Sequence, residues 1–167
     1  MDFKIYTTTI YNCTLERAFK APILCDVTKV HTGYGLMPRV TKTTHDENWG
    51  EVCSIKNVFA EKSLTFKGGE VSTDEVIERI ENKYWKVEVG NFKSWMLNIC
   101  KFTFEWTTTE IEPNKIKINY DYTIHGKGIL FIPFQWFFAH VFYTKYMKQV
   151  LANVRKMAEG NEPFLYK

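Results

Sequence analysis

The chain has 167 residues, a formal net charge of +3, 45% hydrophobic residues and 25% charged residues, the balance of an ordinary globular protein. That length suits a single domain over residues 1–167, able to bury about 70% of its unfolded surface. Lysines alternate with acids and form no basic block, which argues against a nucleic-acid partner.

Phe3–Tyr11 is β-branched and aromatic and reads as an opening strand. Thr14 then caps a short helix, Leu15–Lys20, with Glu16 in its first turn. Pro22 ends that helix or starts a second short one through about Asp26. The glycines and proline of Val30–Pro38 predict a loop. Strands follow at Arg39–Thr44, Glu51–Phe59, Glu75–Glu81 and Tyr84–Val89, with a turn at Gly68-Gly69 and a hairpin loop at Asn82-Lys83.

The last two strands carry the clearest pattern. Phe102, Phe104 and Trp106 alternate with Thr103 and Glu105, and Ile116, Ile118, Tyr120, Tyr122 and Ile124 alternate with polar residues. For the even-numbered residues of both strands to share a face, the loop at Glu112-Pro113-Asn114 must hold an odd number of residues. Otherwise a bulge must correct the slip. A sheet face this aromatic needs a cover, and the segment from about Phe134 to Glu159 is the only helix long enough, with Pro133 in its first turn and Gly160 at its end. On a 3.6-residue period its inward stripe is Trp136, His140, Tyr143, Met147, Val150 and Val154. Lys148 and Arg155 face out.

The order of strand, two short helices, six antiparallel strands and one long helix resembles the START-like (SRPBCC) superfamily. The likeness rests on Phe3–Phe19, on the Glu75–Val89 hairpin, and on the final strand pair with its helix. It implies an α+β helix-grip fold: a curved antiparallel sheet of about seven strands wrapped around the C-terminal helix. It also implies a hydrophobic cavity between the two. Gly33–Trp49 matches no motif of the superfamily.

The residues expected to line that cavity are Trp85, Phe102, Phe104, Trp106, Tyr120, Tyr122, Trp136, His140, Tyr143 and Met147, with Arg39 at its mouth. His140 is either a hydrogen-bonded core histidine or a pocket group that orients a ligand or moves a proton. Arg39 reads as a surface residue or an anion binder. His31, Tyr34 and Trp49 stand in loops where an entrance could form or where aromatics fold inward as plugs. His45-Asp46-Glu47 offers metal-capable side chains, but consecutive residues splay apart, so no metal and no cofactor is expected. Cys13, Cys25, Cys53 and Cys100 form no CxxC pair. Glu105 has the parity of the outer face, and Glu70, Asp74 and Glu75 read as solvent-facing charge.

No GxSxG, HExxH, P-loop or dinucleotide fingerprint is present, so no catalytic residue is assigned and a non-enzymatic role leads. The leading function is binding of an apolar or aromatic small molecule, lipid-like or polyketide-like. The alternatives are a polyketide cyclase/aromatase-type enzyme and a protein-interaction module. The N-terminus lacks a signal-peptide pattern, and Ile129–Tyr143 is too short to span a bilayer. A cytoplasmic protein without stable membrane insertion is expected. The Phe134–Val141 face opposite the cavity should be covered by the Gly33–Trp49 loop or by a second copy in a homodimer.

Overall fold

Alternating β-branched and aromatic residues produce the sheet that the pattern predicts. The computed structural model describes residues 1–94 and 96–166. Its first strand, β1 (Asp2–Tyr11), leads into α1 (Leu15–Leu24) and α2 (Val27–Val30). Six strands follow: β2 (Val40–His45), β3 (Ile55–Ala60), β4 (Gly69–Ile80), β5 (Tyr84–Gly90), β6 (Ile99–Glu112) and β7 (Lys115–Gly126). Together they form one antiparallel sheet in the order β1-β7-β6-β5-β4-β3-β2. A long C-terminal helix then crosses the concave face, giving the α+β helix-grip architecture.

The β6–β7 register pairs Phe104 with Tyr122 and Trp106 with Tyr120, so all four share the inner face. The turn uses the bulge solution. Pro113-Asn114 is a two-residue connection with Asn114 left-handed (φ 59°), and the register shifts between Glu110 and Glu112. That shift puts the even-numbered residues back on one side. Glu105 lies on the outer face, where its carboxylate accepts a hydrogen bond from the Tyr84 hydroxyl at 2.7 Å.

α1 runs four residues further than expected, and Pro22 lies inside it. Proline has no N–H to give the carbonyl four residues back, so the Ala18 carbonyl loses its helical donor. The Trp106 indole N–H supplies one instead, at 3.2 Å. Two more indoles do likewise. Trp85 donates to the Phe19 carbonyl at 2.7 Å, and Trp49 donates to the Ile23 carbonyl at 2.9 Å. The amides of Leu165 and Tyr166 donate to the Leu24 carbonyl. The Ala18, Phe19, Ile23 and Leu24 carbonyls of α1 therefore accept donors from outside the helix. Asp26 does not end a second helix; it caps the start of α2, its carboxylate accepting from the Thr28 amide at 3.0 Å.

The C-terminal helix is not uniform. A 3₁₀ turn (Ile129–Phe131) leads into α3 (Ile132–Phe137), a π-helical turn (Phe138–Tyr143) and α4 (Thr144–Glu159). In the π turn the Thr144 amide bonds the Ala139 carbonyl, five residues back, and the Thr144 hydroxyl bonds it too, at 3.1 Å. The turn admits one extra residue, which rotates everything before it by about 100° against a uniform α projection. This corrects the expected inward stripe. Tyr143, Met147, Val150 and Val154 face the sheet as predicted, and they are joined by Phe138 and Ala139. Trp136 is 54% exposed, and the His140 ring lies tilted beside it on the outer surface with ring centroids 4.9 Å apart.

If the Trp106 indole replaces the amide that Pro22 lacks, the two positions are coupled. Trp106→Phe should cost about 2 kcal/mol through an unpaired buried carbonyl. The same change should cost about 1 kcal/mol less in a Pro22→Ala background, where an amide is again present. Urea unfolding of the four proteins of this cycle measures the difference. Equal costs in both backgrounds would show the pair to be independent.

Candidate functional site

Between α1, α2, the long helix and the concave sheet lies a cavity of about 110 Å³. Its aromatic wall is built by β6 and β7: Phe102, Phe104, Trp106, Tyr120 and Tyr122. α4 and the π turn add Tyr143, Tyr146, Val150 and Val154, and α1 and α2 add Pro22, Ile23, Val27 and Val30. Six of the eleven residues expected from sequence meet here: Phe102, Phe104, Trp106, Tyr120, Tyr122 and Tyr143.

The other five do not line the cavity. Trp85 is fully buried and stacks on Phe19 with ring centroids 4.7 Å apart, which makes it an anchor of α1. Met147 is buried in the core beside the cavity. Trp136 and His140 were rotated outward by the π turn, and Arg39 is exposed. Of the loop aromatics, Trp49 folds inward as a plug and lines the cavity with His31.

The sequence reading missed the polar end of the cavity. Lys56 on β3 and Asp74 on β4 sit opposite each other in register, with 3.5 Å between ammonium and carboxylate. Their side chains are only 4% and 14% exposed, so Asp74 is not the solvent-facing charge that its neighbours suggested. The Lys56 ammonium lies over the Trp49 ring, 4.2 Å from its centre, an attraction that strengthens on desolvation. Close by, His31 Nδ1 and the Tyr146 hydroxyl share a 2.5 Å hydrogen bond. Nothing in the local pattern marks Lys56 as buried. Its strand reads IKNVFA, and the residues that face in are Lys56, Val58 and Ala60 while Ile55 is exposed.

Burial decides the protonation states. It pushes the His31 imidazole down to about 4, with the Lys56 charge adding to the effect, so His31 is neutral at pH 7. Burial raises the Asp74 carboxyl, against the opposing pull of Lys56. The hydroxyls of Tyr120, Tyr122, Tyr143 and Tyr146 are all raised by burial and stay protonated. The cavity thus holds neutral donors and acceptors beside one ion pair.

The face opposite the cavity is partly covered. Phe142 packs against Gly35 of the loop after α2. Ile129, Leu130, Trp136 and Phe137 stay exposed. Among the described residues no helix is long and apolar enough to cross a membrane.

No family model and no curated protein matches the chain. Solved structures do. A norcoclaurine synthase point mutant from Thalictrum flavum, in complex with a transition-state analogue, superposes with a TM-score of 0.70 at 11% identity, covering 98% of each chain. Ara h 8.0201 superposes with a TM-score of 0.66 at 17% identity, over 96% of this chain and 97% of that one. The di-domain aromatase/cyclase StfQ of the steffimycin pathway gives 0.67 at 10% identity, covering 96% of this chain and 52% of its own. These likenesses show the fold, the helix-grip architecture that the sequence resemblance implied.

The His31 environment sets a pH response. Its folded value lies below the ordinary 6.5, so between about pH 6.5 and pH 4 the unfolded chain binds the extra proton and stability falls as pH falls. The loss should approach about 3 kcal/mol at the acid end. Asp74, with a raised carboxyl, acts in the opposite direction. Denaturant titrations at pH 7 and pH 4.5 should show a smaller drop for His31→Gln than for the wild type. An identical drop would assign the response to other groups.

Proposed function

We propose that this protein binds an apolar or aromatic small molecule in the cavity between its sheet and its C-terminal helix. The observation that carries this reading is the cavity wall. Phe102, Phe104, Trp106, Tyr120, Tyr122 and Tyr143 present ring faces and edges to one space rather than filling it. Burial of ligand surface at about 25 cal/mol per Å² would supply affinity, and a few polar tips would supply orientation. The volume suits a single ring, since apolar cavities of roughly 150 Å³ take up benzene.

A second reading is an aromatase/cyclase-type enzyme acting on a ketone in the same cavity. The neutral, hydrogen-bonded His31–Tyr146 pair favours it, because an imidazole held at a hydroxyl can pass a proton. Turnover of a bound ketone, lost in His31→Phe, distinguishes it from simple binding.

Val58 lines the cavity from β3 and is buried. Val58→Phe should fill the space and abolish the thermal stabilisation that saturating p-cresol gives the wild type. Stabilisation of several degrees in the wild type and none in the variant supports the cavity as the site. Equal stabilisation in both would place binding elsewhere.

A further inference from the structure

The Lys56–Asp74 pair is an expensive feature. A buried ion pair repays its desolvation only with close geometry and further hydrogen bonds. At 3.5 Å its separation exceeds the roughly 2.7–2.9 Å of a formed charge-assisted hydrogen bond. The sheet explains the placement but not the choice of residues: β3 and β4 pair Lys56 with Asp74 directly, and two apolar side chains would fit that inner face at lower cost. Both residues line the cavity, as do His31, Trp49, Tyr122 and Tyr146.

We propose that Lys56 and Asp74 recognise the hydroxyl group of an uncharged, single-ring phenol, with its ring against Phe104, Trp106 and Tyr120. This rests on the cavity being the binding site and goes on to name the ligand class. A hydroxyl is the group that answers both partners, since its oxygen accepts from the Lys56 ammonium while its O–H donates a hydrogen bond to the Asp74 carboxylate. Charged head groups are discriminated against. A carboxylate ligand would be repelled by Asp74, and an ammonium ligand by Lys56. A hydrocarbon ring would leave the pair without the oxygen that bridges it. The Trp49 ring fixes the ammonium from behind, and Trp49 is itself held by its bond to the Ile23 carbonyl. The donor is therefore positioned before a ligand arrives. The cavity volume of about 110 Å³ limits the body of the ligand to about one ring.

Calorimetric titration with p-cresol, toluene and benzoate separates the possibilities, because the first two differ only in the hydroxyl. The wild type should bind p-cresol at least about tenfold more tightly than toluene, the worth of a hydrogen bond to a charged group. Benzoate should bind more weakly than p-cresol. Lys56→Met, with its fold checked by circular dichroism, should bind p-cresol and toluene alike. Asp74→Asn should lose most of the preference. Equal affinity of the wild type for p-cresol and toluene overturns this assignment while leaving the cavity as an apolar site. Failure of the wild type to bind any of the three overturns the binding reading itself. Should Lys56→Met not fold, the wild-type ratio together with Asp74→Asn decides.

Discussion

Three indole N–H groups, from Trp85 and Trp106 on the sheet and Trp49 in the loop between β2 and β3, hold α1 in place through the carbonyls of Phe19, Ala18 and Ile23. Much else depends on this. The missing amide of Pro22 frees one acceptor, and the end of the helix leaves others. Each indole is large enough to cover apolar surface while its polar tip donates to a carbonyl of α1. Because α1 cannot slide without leaving buried carbonyls unpaired, the cavity keeps its roof. Two of the same indoles also line the cavity, and one of them carries the Lys56 ammonium. The packing that fixes the fold therefore also places the charge.

The long helix contributes in a different way. Its π turn lets Phe138, Ala139 and Tyr143 all reach the sheet, while Trp136 in the turn before it and His140 within it point outward. Local helical geometry thus decides which aromatics join the cavity wall and which become surface. Among the tyrosines, the rings of Tyr122 and Tyr143 approach to 5.0 Å and those of Tyr143 and Tyr146 to 5.8 Å. They form a protonated, slightly polar band along the wall.

Much of this was legible in the sequence, for physical reasons. Period-two alternation at Phe102–Trp106 and Ile116–Ile124 identified the inner face, because one face of this sheet is dry. The length of the final apolar segment identified the cover. What the sequence hid was of two kinds. A single i→i+5 turn leaves no periodic mark, so His140 and Trp136 were projected onto the wrong side. Strand β3 inverts the usual rule, placing Lys56 inside and Ile55 outside, and only the fold brings Lys56 opposite Asp74. The indole-to-carbonyl bonds were equally invisible, since they join residues 26, 66 and 88 positions apart.

Everything proposed for this protein requires that ligands enter the space walled by β6, β7 and α4. Amide and side-chain chemical-shift mapping by NMR during titration with p-cresol tests it most directly. The account predicts saturable shifts at Phe104, Tyr120, Tyr122, Tyr146 and Val58, with Trp136, His140 and Leu130 unmoved. Shifts confined to the exposed Leu130–His140 surface would contradict it.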